Sequence, residues 1–186
     1  NDAPVLASVS DISFNEGGSW TSDSSFLSAS DVDGDNLTFT ISGGNQIISS
    51  LTNNSNLLFT TLSENINYNG SEEFVLSVTD GEFIDSQSFR VTVNPVNDVP
   101  EANNAAAITN EDQSIVITLN ASDVDGDNLT FSLDGDALNG SVTLNGSLAT
   151  YTPNTNYFGD DSFSFSVSDG VESSSASVSV SVTAVN

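Results

Sequence analysis

Residues 30–39 of the sequence read SDVDGDNLTF, and residues 122–131 read the same ten letters again. Shorter matches accompany this run, in the same order in both parts of the chain. They are NDAP at 1–4 with NDVP at 97–100, YNGSEEF at 68–74 with YFGDDSF at 157–163, and VTDG at 78–81 with VSDG at 167–170. An ordered set of matches indicates an internal repeat. We therefore predict two tandem domains, residues 1–96 and residues 97–186.

Each copy carries the periodicity of β-strands. Apolar residues alternate with small polar ones in FSFSV at 163–167 and SVSVSV at 177–182, and similar runs occur in the first copy at 74–78 and 89–93. Alternation predicts a sheet that is buried on one face, which is typical of a sandwich. Asn-Gly, Asp-Gly and Gly-Gly pairs between the runs favour hairpins. We predict an all-β chain of two Greek-key immunoglobulin-like β-sandwiches, without helices.

The charge balance excludes several classes of partner. The chain has 26 acidic residues against one basic residue, Arg90, for a net charge of −25. Nucleic acid is excluded because binding phosphates requires Lys and Arg, and an anionic membrane surface is disfavoured for the same reason. Direct membrane insertion is not expected, since no apolar run approaches a membrane span. The acids either form a solvated surface or bind divalent cations.

Composition also limits chemistry and location. Without cysteine the chain has neither disulfides nor a thiolate metal site, and without cysteine or histidine it has no catalytic triad. We therefore do not expect an enzyme. Because the sequence opens on Asn1 without a Met or a signal peptide, we expect a segment of a longer protein whose targeting information lies elsewhere.

The acidic loop at 31–36, DVDGDN, concentrates three carboxylates in six residues. The first and third side chains of an extended Asp-x-Asp point the same way and can share a cation. Calcium suits such flexible oxygen ligands, with magnesium second, whereas an Asx-rich turn with solvated acids is the other interpretation. An EF-hand is rejected because position 6 is Asn, position 12 is Ser42 or Asp134, and the flanks read as strands.

The acidic run resembles the calcium loop of cadherin domains. The second copy resembles the cadherin-like tandem repeats of large bacterial surface adhesins through NGSV at 139–142, YTP at 151–153, YFGDDSF at 157–163, VSDG at 167–170 and the closing VN at 185–186. The first copy shares both ends of this pattern but has LFTTL at 58–62 in place of the YTP element.

The resemblance implies calcium at the joint between consecutive domains. Its ligands would be Glu16 of the first copy, Asn97 and Asp98 of the connector, and Asp123, Asp125, Asn128 and Asp169 of the second copy. The Asp-Arg-Glu element of cadherins is missing, so Glu72 or Glu73 would replace it, and we expect one or two ions. Half-sites, empty or weak, are expected at Asp2, Asp31, Asp33 and Asp80, and at Glu111, Asp160 and Asp161.

Two functions remain open. The first is a calcium-stiffened repeat pair of an extracellular bacterial adhesion protein, with adjacent repeats, a surface polysaccharide or another copy as partners. The alternative is a carbohydrate-binding accessory module of a secreted polysaccharide-degrading enzyme, which requires exposed aromatic rings. The candidate rings are few, and each is more often a core residue. They are Trp20, Tyr68, Tyr151 and Tyr157.

Overall fold

A computed structural model describes residues 1–23, 25–52, 56–61 and 65–185. The chain divides into two compact units, Asn1–Val96 and Asn97–Asn186, called the first and second unit below. All regular secondary structure in the described ranges consists of β-strands, which confirms the all-β prediction. Within those ranges there is no helix long and apolar enough to cross a bilayer.

The described residues of the first unit form nine strands arranged as a sandwich. A four-stranded sheet has the order β2-β9-β8-β5, a three-stranded sheet has the order β3-β7-β6, and β1 pairs with β4. β2 runs parallel to β9, and the other pairs are antiparallel. The strands are β1 Val5–Leu6, β2 Ile12–Asn15, β3 Ser19–Thr21, β4 Ala29–Ser30, β5 Thr38–Gly43, β6 Ile47–Thr52, β7 Asn56–Thr61, β8 Gly70–Thr79 and β9 Ile84–Asn94.

The second unit repeats this topology strand by strand. Its sheets have the orders β11-β18-β17-β14 and β12-β16-β15, and β10 pairs with β13. Since the first unit has the same arrangement, the missing YTP element does not change its fold. The strands are β10 Glu101–Asn103, β11 Ala105–Asn110, β12 Ile115–Thr118, β13 Asn120–Ser122, β14 Thr130–Gly135, β15 Gly140–Asn145, β16 Leu148–Pro153, β17 Gly159–Ser168 and β18 Ser173–Thr183.

The alternation in the sequence places one face of each sheet in a core. In β17 the residues Phe163, Phe165 and Val167 are buried, whereas the two serines between them are half-buried. The first unit fills its core with aromatic rings, among them Phe59 and Phe74 in edge-to-face contact at 4.9 Å. Burial of these apolar faces stabilises each unit by itself, and the polar loops are left at its ends.

Candidate metal-binding site

The acidic loop of the first unit is built as a tight turn around one carboxylate. Asp31 Oδ1 accepts the backbone N–H groups of Asp33 at 3.0 Å, Gly34 at 2.9 Å and Asp35 at 3.2 Å. Gly34 has φ +78°, a conformation that strongly favours glycine. The other oxygen, Asp31 Oδ2, is buried and has no hydrogen-bond partner among the described residues. One oxygen therefore holds the loop together, whereas the second accepts no hydrogen bond from the described residues.

Two further carboxylates lie beside Asp31. One oxygen each from Asp31, Asp35 and Asp80 lie within 4.8 Å of one another. Asp80 accepts the backbone N–H groups of Phe83 and Glu82, both at 2.7 Å. These two hydrogen bonds lower the pKa of Asp80, so it is ionised at neutral pH. Three negative charges at this spacing repel one another unless a cation lies among them.

The second unit carries the same loop. Oxygens of Asp123, Asp125 and Asp127 lie within 4.8 Å of one another. Asp123 Oδ1 accepts the N–H of Asp127 at 3.1 Å, and Asp123 Oδ2 is buried without a hydrogen-bond partner in the part of the chain that the structure describes. The orphaned oxygen thus occurs at the same position of both repeats.

The residues that open the second unit are tied to its loops. Asn97 donates from Nδ2 to Asp169 Oδ2 at 2.9 Å, and the N–H of Asp98 bonds to Asp125 Oδ2 at 2.7 Å. The hydrogen bond from Asn97, followed by backbone amides of Glu172 and Val171, lowers the pKa of Asp169. Four of the predicted ligands are therefore brought together within one unit.

The start of the first unit repeats these contacts. Asn1 donates from Nδ2 to Asp80 Oδ2 at 3.3 Å, and the N–H of Asp2 bonds to Asp33 Oδ2 at 2.6 Å. The predicted residues Asp2, Asp33 and Asp80 therefore occupy the positions that Asp98, Asp125 and Asp169 occupy in the second unit. The loop geometry arises twice from the same sequence pattern.

Glu16 lies at the other end of the first unit, directly after β2. Its carboxylate accepts the backbone N–H of Val96, and Asn69 Nδ2 lies 3.5 Å from it. Glu111 has the matching contact in the second unit, where it accepts the N–H of Val185 at 2.6 Å. Each unit thus presents a glutamate carboxylate beside its own last residues.

Glu72 is engaged elsewhere. Its two oxygens accept the backbone N–H groups of Asn45, Gln46 and Ile47 at 2.9–3.0 Å. Burial opposes the ionisation of Glu72, but the three amides outweigh it and lower its pKa. This carboxylate fixes the segment before β6, so we leave it out of the candidate ligand set. The candidate Asn128 is exposed in the acidic loop.

Asp161 is also used inside its own unit. It is 8% exposed and accepts hydrogen bonds from the N–H groups of Leu138, Asn139 and Ser162 and from the hydroxyl of Tyr151. The sequence predicted that Asp161 would face a following repeat, and it did not predict these four hydrogen bonds within the second unit. Asp160, its neighbour, is exposed.

Among the described residues, salt bridges bring one positive charge, the terminal ammonium of Asn1, to the acidic loop of the first unit. Arg90, the one basic side chain, pairs with Glu73 at 3.1 Å on the outer face of a sheet. The terminal ammonium of Asn1 lies 4.0 Å from Asp33. Clustered carboxylates with carbonyl and amide oxygens are the donors that calcium prefers, and the orphaned oxygens of Asp31 and Asp123 fit such an ion.

Sequence reasoning missed Asp35 and Asp127 as members of the clusters. The ligand set implied by the resemblance names the Asp-x-Asp pair and the following Asn, and the aspartate between them was left out. Its recurrence at the same position in both copies was the signal that could have found it.

The candidate aromatic rings for carbohydrate binding pack into the cores. Tyr151 is fully buried, and Trp20 lies 5.0 Å from Phe26 and 6.0 Å from Phe59 between ring centroids. Tyr68 and Tyr157 are half-buried against the cores of their units. None of the four therefore offers the flat exposed platform that the alternative function requires.

Comparison with known proteins agrees with the sandwich fold and the repeats. The sequence profile of the bacterial Ig domain family matches residues 1–94 and again residues 97–183. The chain belongs to this family and contains two of its domains in tandem. Comparison with curated protein sequences gives no significant match.

Solved structures of cadherin repeats share the fold. Human protocadherin-24 EC1-2 is 17% identical, with all of both chains covered and a TM-score of 0.59. Drosophila N-cadherin EC1-4 is 15% identical over 97% of this chain and 49% of its own, with a TM-score of 0.63. An endo-fucoidan hydrolase of glycoside hydrolase family 107 is 20% identical over 98% of this chain, with a TM-score of 0.41, and the chain spans 29% of its length.

Proposed function

We propose that the chain is a calcium-binding pair of extracellular Ig-like repeats from a bacterial surface or secreted adhesion protein. Calcium would bind at the acidic loops and tie consecutive repeats together. The observation that carries the proposal is the buried, unpartnered Oδ2 of Asp31 and of Asp123, one in each repeat, inside a cluster of three carboxylates.

A buried carboxylate oxygen without a partner is costly. Leaving such a group unsatisfied costs about 1–3 kcal/mol, and more when the group is charged. Because the unpartnered oxygen occurs at the same position of both repeats, it is a property of the repeated loop and not of one copy. A hard cation removes the cost, because it satisfies the orphaned oxygen and relieves the repulsion among the three carboxylates.

Covalent continuity argues that one ion can engage both repeats. Glu16 of the first unit is bonded to the amide of Val96, and Asp125 of the second unit is bonded to the amide of Asp98. Val96 and Asp98 are two residues apart, so their Cα atoms lie within about 7 Å of each other. Carboxylates from both units are thereby attached to the same short connector.

The proposed ligands at this joint are oxygens of both units and of the connector. Calcium would neutralise the negative charges of these carboxylates, and it would make the connector stiff where it would otherwise be flexible. Extracellular modules bind calcium with dissociation constants of about 10⁻⁴ to 10⁻³ M, which suits a location outside the cell. The set comprises Glu16, Asn97, Asp98, Asp123, Asp125, Asp127, Asn128 and Asp169. The first-unit loop offers a separate, matching set, which comprises Asp2, Asp31, Asp33, Asp35 and Asp80.

The function proposed is mechanical and not catalytic. Two Ig-like repeats would act as a spacer or an adhesive segment, with adjacent repeats of the parent chain as their first partners. None of the four aromatic candidates supports a flat platform for binding a polysaccharide.

Isothermal titration with calcium tests the proposal. The variant Asp123→Asn/Asp125→Asn should bind fewer calcium ions than the wild type, because two carboxylates of one cluster lose their charge. Asp136→Asn is the control, since Asp136 is exposed and lies outside the acidic loop. The control should titrate like the wild type. A wild-type protein that takes up no calcium at millimolar concentration would refute the proposal.

A further inference from the structure

The hairpin of β15 and β16 lies in a stretch without charge. Residues 137–159 contain no Asp, Glu, Lys or Arg, although the chain has 26 acidic residues. The first copy has the same feature, since residues 36–63, which include β6 and β7, are also uncharged. A chain with net charge −25 repels its own copies, and these hairpins add no charged side chain of their own to that repulsion.

β15 is an open edge of its sheet. Across residues 97–185, all of which are described, β15 pairs with β16 and with no other strand. The pairing is regular over six residues, from Gly140 opposite Pro153 to Asn145 opposite Leu148. β14, one of the two edge strands of the other sheet, differs because a bulge interrupts it between Leu133 and Gly135 and it carries Asp134. Bulges and edge charges are the usual protection against strand addition, and β15 has neither.

The register shows which backbone groups of β15 face outward. Gly146 and Ser147 form a two-residue hairpin loop, so Asn145 and Leu148 are the hydrogen-bonded pair next to it. Bonded pairs alternate, and the N–H and C=O groups of Gly140, Val142 and Leu144 therefore point away from β16. These six backbone groups make no hydrogen bond to β16, and the strand that carries them has no charged residue.

We infer that β15 is a self-association edge, where a second copy of this chain adds its own β15 antiparallel about a two-fold axis. With Val142 opposite Val142 of the second copy, Gly140 lies opposite Leu144, and all six outward groups on each strand are paired. Ser141 then lies opposite Thr143 on the exposed face, where two hydroxyl side chains can hydrogen-bond. The two three-stranded sheets become one sheet of six strands.

A second copy fits this edge better than a charged partner does. A cationic partner would be drawn to the acidic loops, whereas the edge presents only backbone groups and small neutral side chains. The antiparallel two-fold arrangement is self-complementary, because every outward donor meets an outward acceptor of the same strand. The contact is small, so association is weak for one pair and gains strength when many repeats are aligned.

Charge substitution on the exposed face of β15 tests this edge. Ser141→Lys/Thr143→Lys and Ser141→Glu/Thr143→Glu each place like charges opposite one another across the two-fold axis. Each variant alone should associate about tenfold more weakly than the wild type, and an equimolar mixture should recover a heterodimer. Both variants remain strongly anionic, so the recovery requires the local pairing of opposite charges.

The control is Ser162→Lys/Ser179→Lys, which makes the same charge change on the inner strands β17 and β18, where both serines are exposed. Sedimentation equilibrium of the 186-residue chain up to about 1 mM measures association, in calcium and in chelator. The control should associate like the wild type. A wild type that stays monomeric over this range, or a mixture that stays monomeric, overturns the inference.

Amide exchange followed by NMR supplies a readout that a merely structural effect would not give. Association should slow exchange at the outward amides of Gly140, Val142 and Leu144. The amides of Ser141 and Thr143 already bond to β16 and should not change. Slowing at all five amides, or at none of them, contradicts the pairing.

Discussion

Replacing Asp161 by Ala should destabilise the second unit more than any single change on its surface. The carboxylate accepts backbone N–H groups of Leu138 at 3.1 Å, Asn139 at 2.9 Å and Ser162 at 2.9 Å. It also accepts the hydroxyl of Tyr151 at 2.9 Å, and Tyr151 is fully buried. Burial, followed by the hydrogen bond to Asp161, raises the pKa of Tyr151, so the hydroxyl remains a donor at physiological pH.

The cost follows from the donors left behind. The buried Tyr151 hydroxyl alone loses about 1–3 kcal/mol when it has no acceptor, and each hydrogen bond to a charged group contributes about 1.5–3 kcal/mol. These terms overlap, and we expect a net loss of about 3 kcal/mol or more. For a unit of this size, that loss lowers the melting temperature by about 12–24 °C.

Differential scanning calorimetry measures this effect. The transition of the second unit should move and that of the first unit should stay. Tyr151→Phe should cost only about 1 kcal/mol, because the carboxylate keeps its three amide donors. Added to Asp161→Ala, it should cost less than the sum of the two single changes, since the orphaned hydroxyl is gone. An Asp161→Ala protein that melts within a few degrees of the wild type would refute the reasoning.

Two further predictions concern Glu72 of the first unit and the proposed calcium binding. Glu72 has a lowered pKa in the folded state, so its stabilising effect is complete above the ordinary pKa of about 4.3 and is lost as the pH falls through the lowered value. Acid melting of Glu72→Gln should therefore lack that part of the pH dependence, and an unchanged acid transition would contradict the assignment. Calcium at 100 times its dissociation constant should stabilise by about 2.7 kcal/mol, which a thermal melt with and without chelator measures. Identical melting curves would exclude calcium binding to the folded form.

Much of the fold follows from the sequence. Alternation in FSFSV at 163–167 predicts which residues of β17 are buried, and the repeat predicts that the two units share one topology. The turn around Asp31 was weighed only as the alternative to a cation site, on the ground that Gly34 and clustered aspartates favour it. These features are local, or they are repeated, and a sequence shows both directly.

The roles of Glu72 and Asp161 could not be read from the sequence. Glu72 is the third residue of β8, and Asp161 is the third residue of the corresponding strand β17. Both accept hydrogen bonds from backbone amides of a segment that is distant in the sequence. The register places Phe59 where the second unit has Tyr151, so the first unit combines a phenylalanine with the longer glutamate. Only the tertiary structure shows which amides a carboxylate meets, so these contacts could not be predicted from the sequence.

Calcium titration of Glu16→Gln against Glu111→Gln tests the central claim most directly. Glu16 bonds to the amide of Val96 beside the connector, whereas Glu111, its counterpart, bonds to that of Val185. If one ion engages both repeats, Glu16→Gln should weaken the tightest calcium binding about tenfold or more, and Glu111→Gln should leave it unchanged. Equal binding by both variants and the wild type would show that the first unit contributes no ligand at the joint.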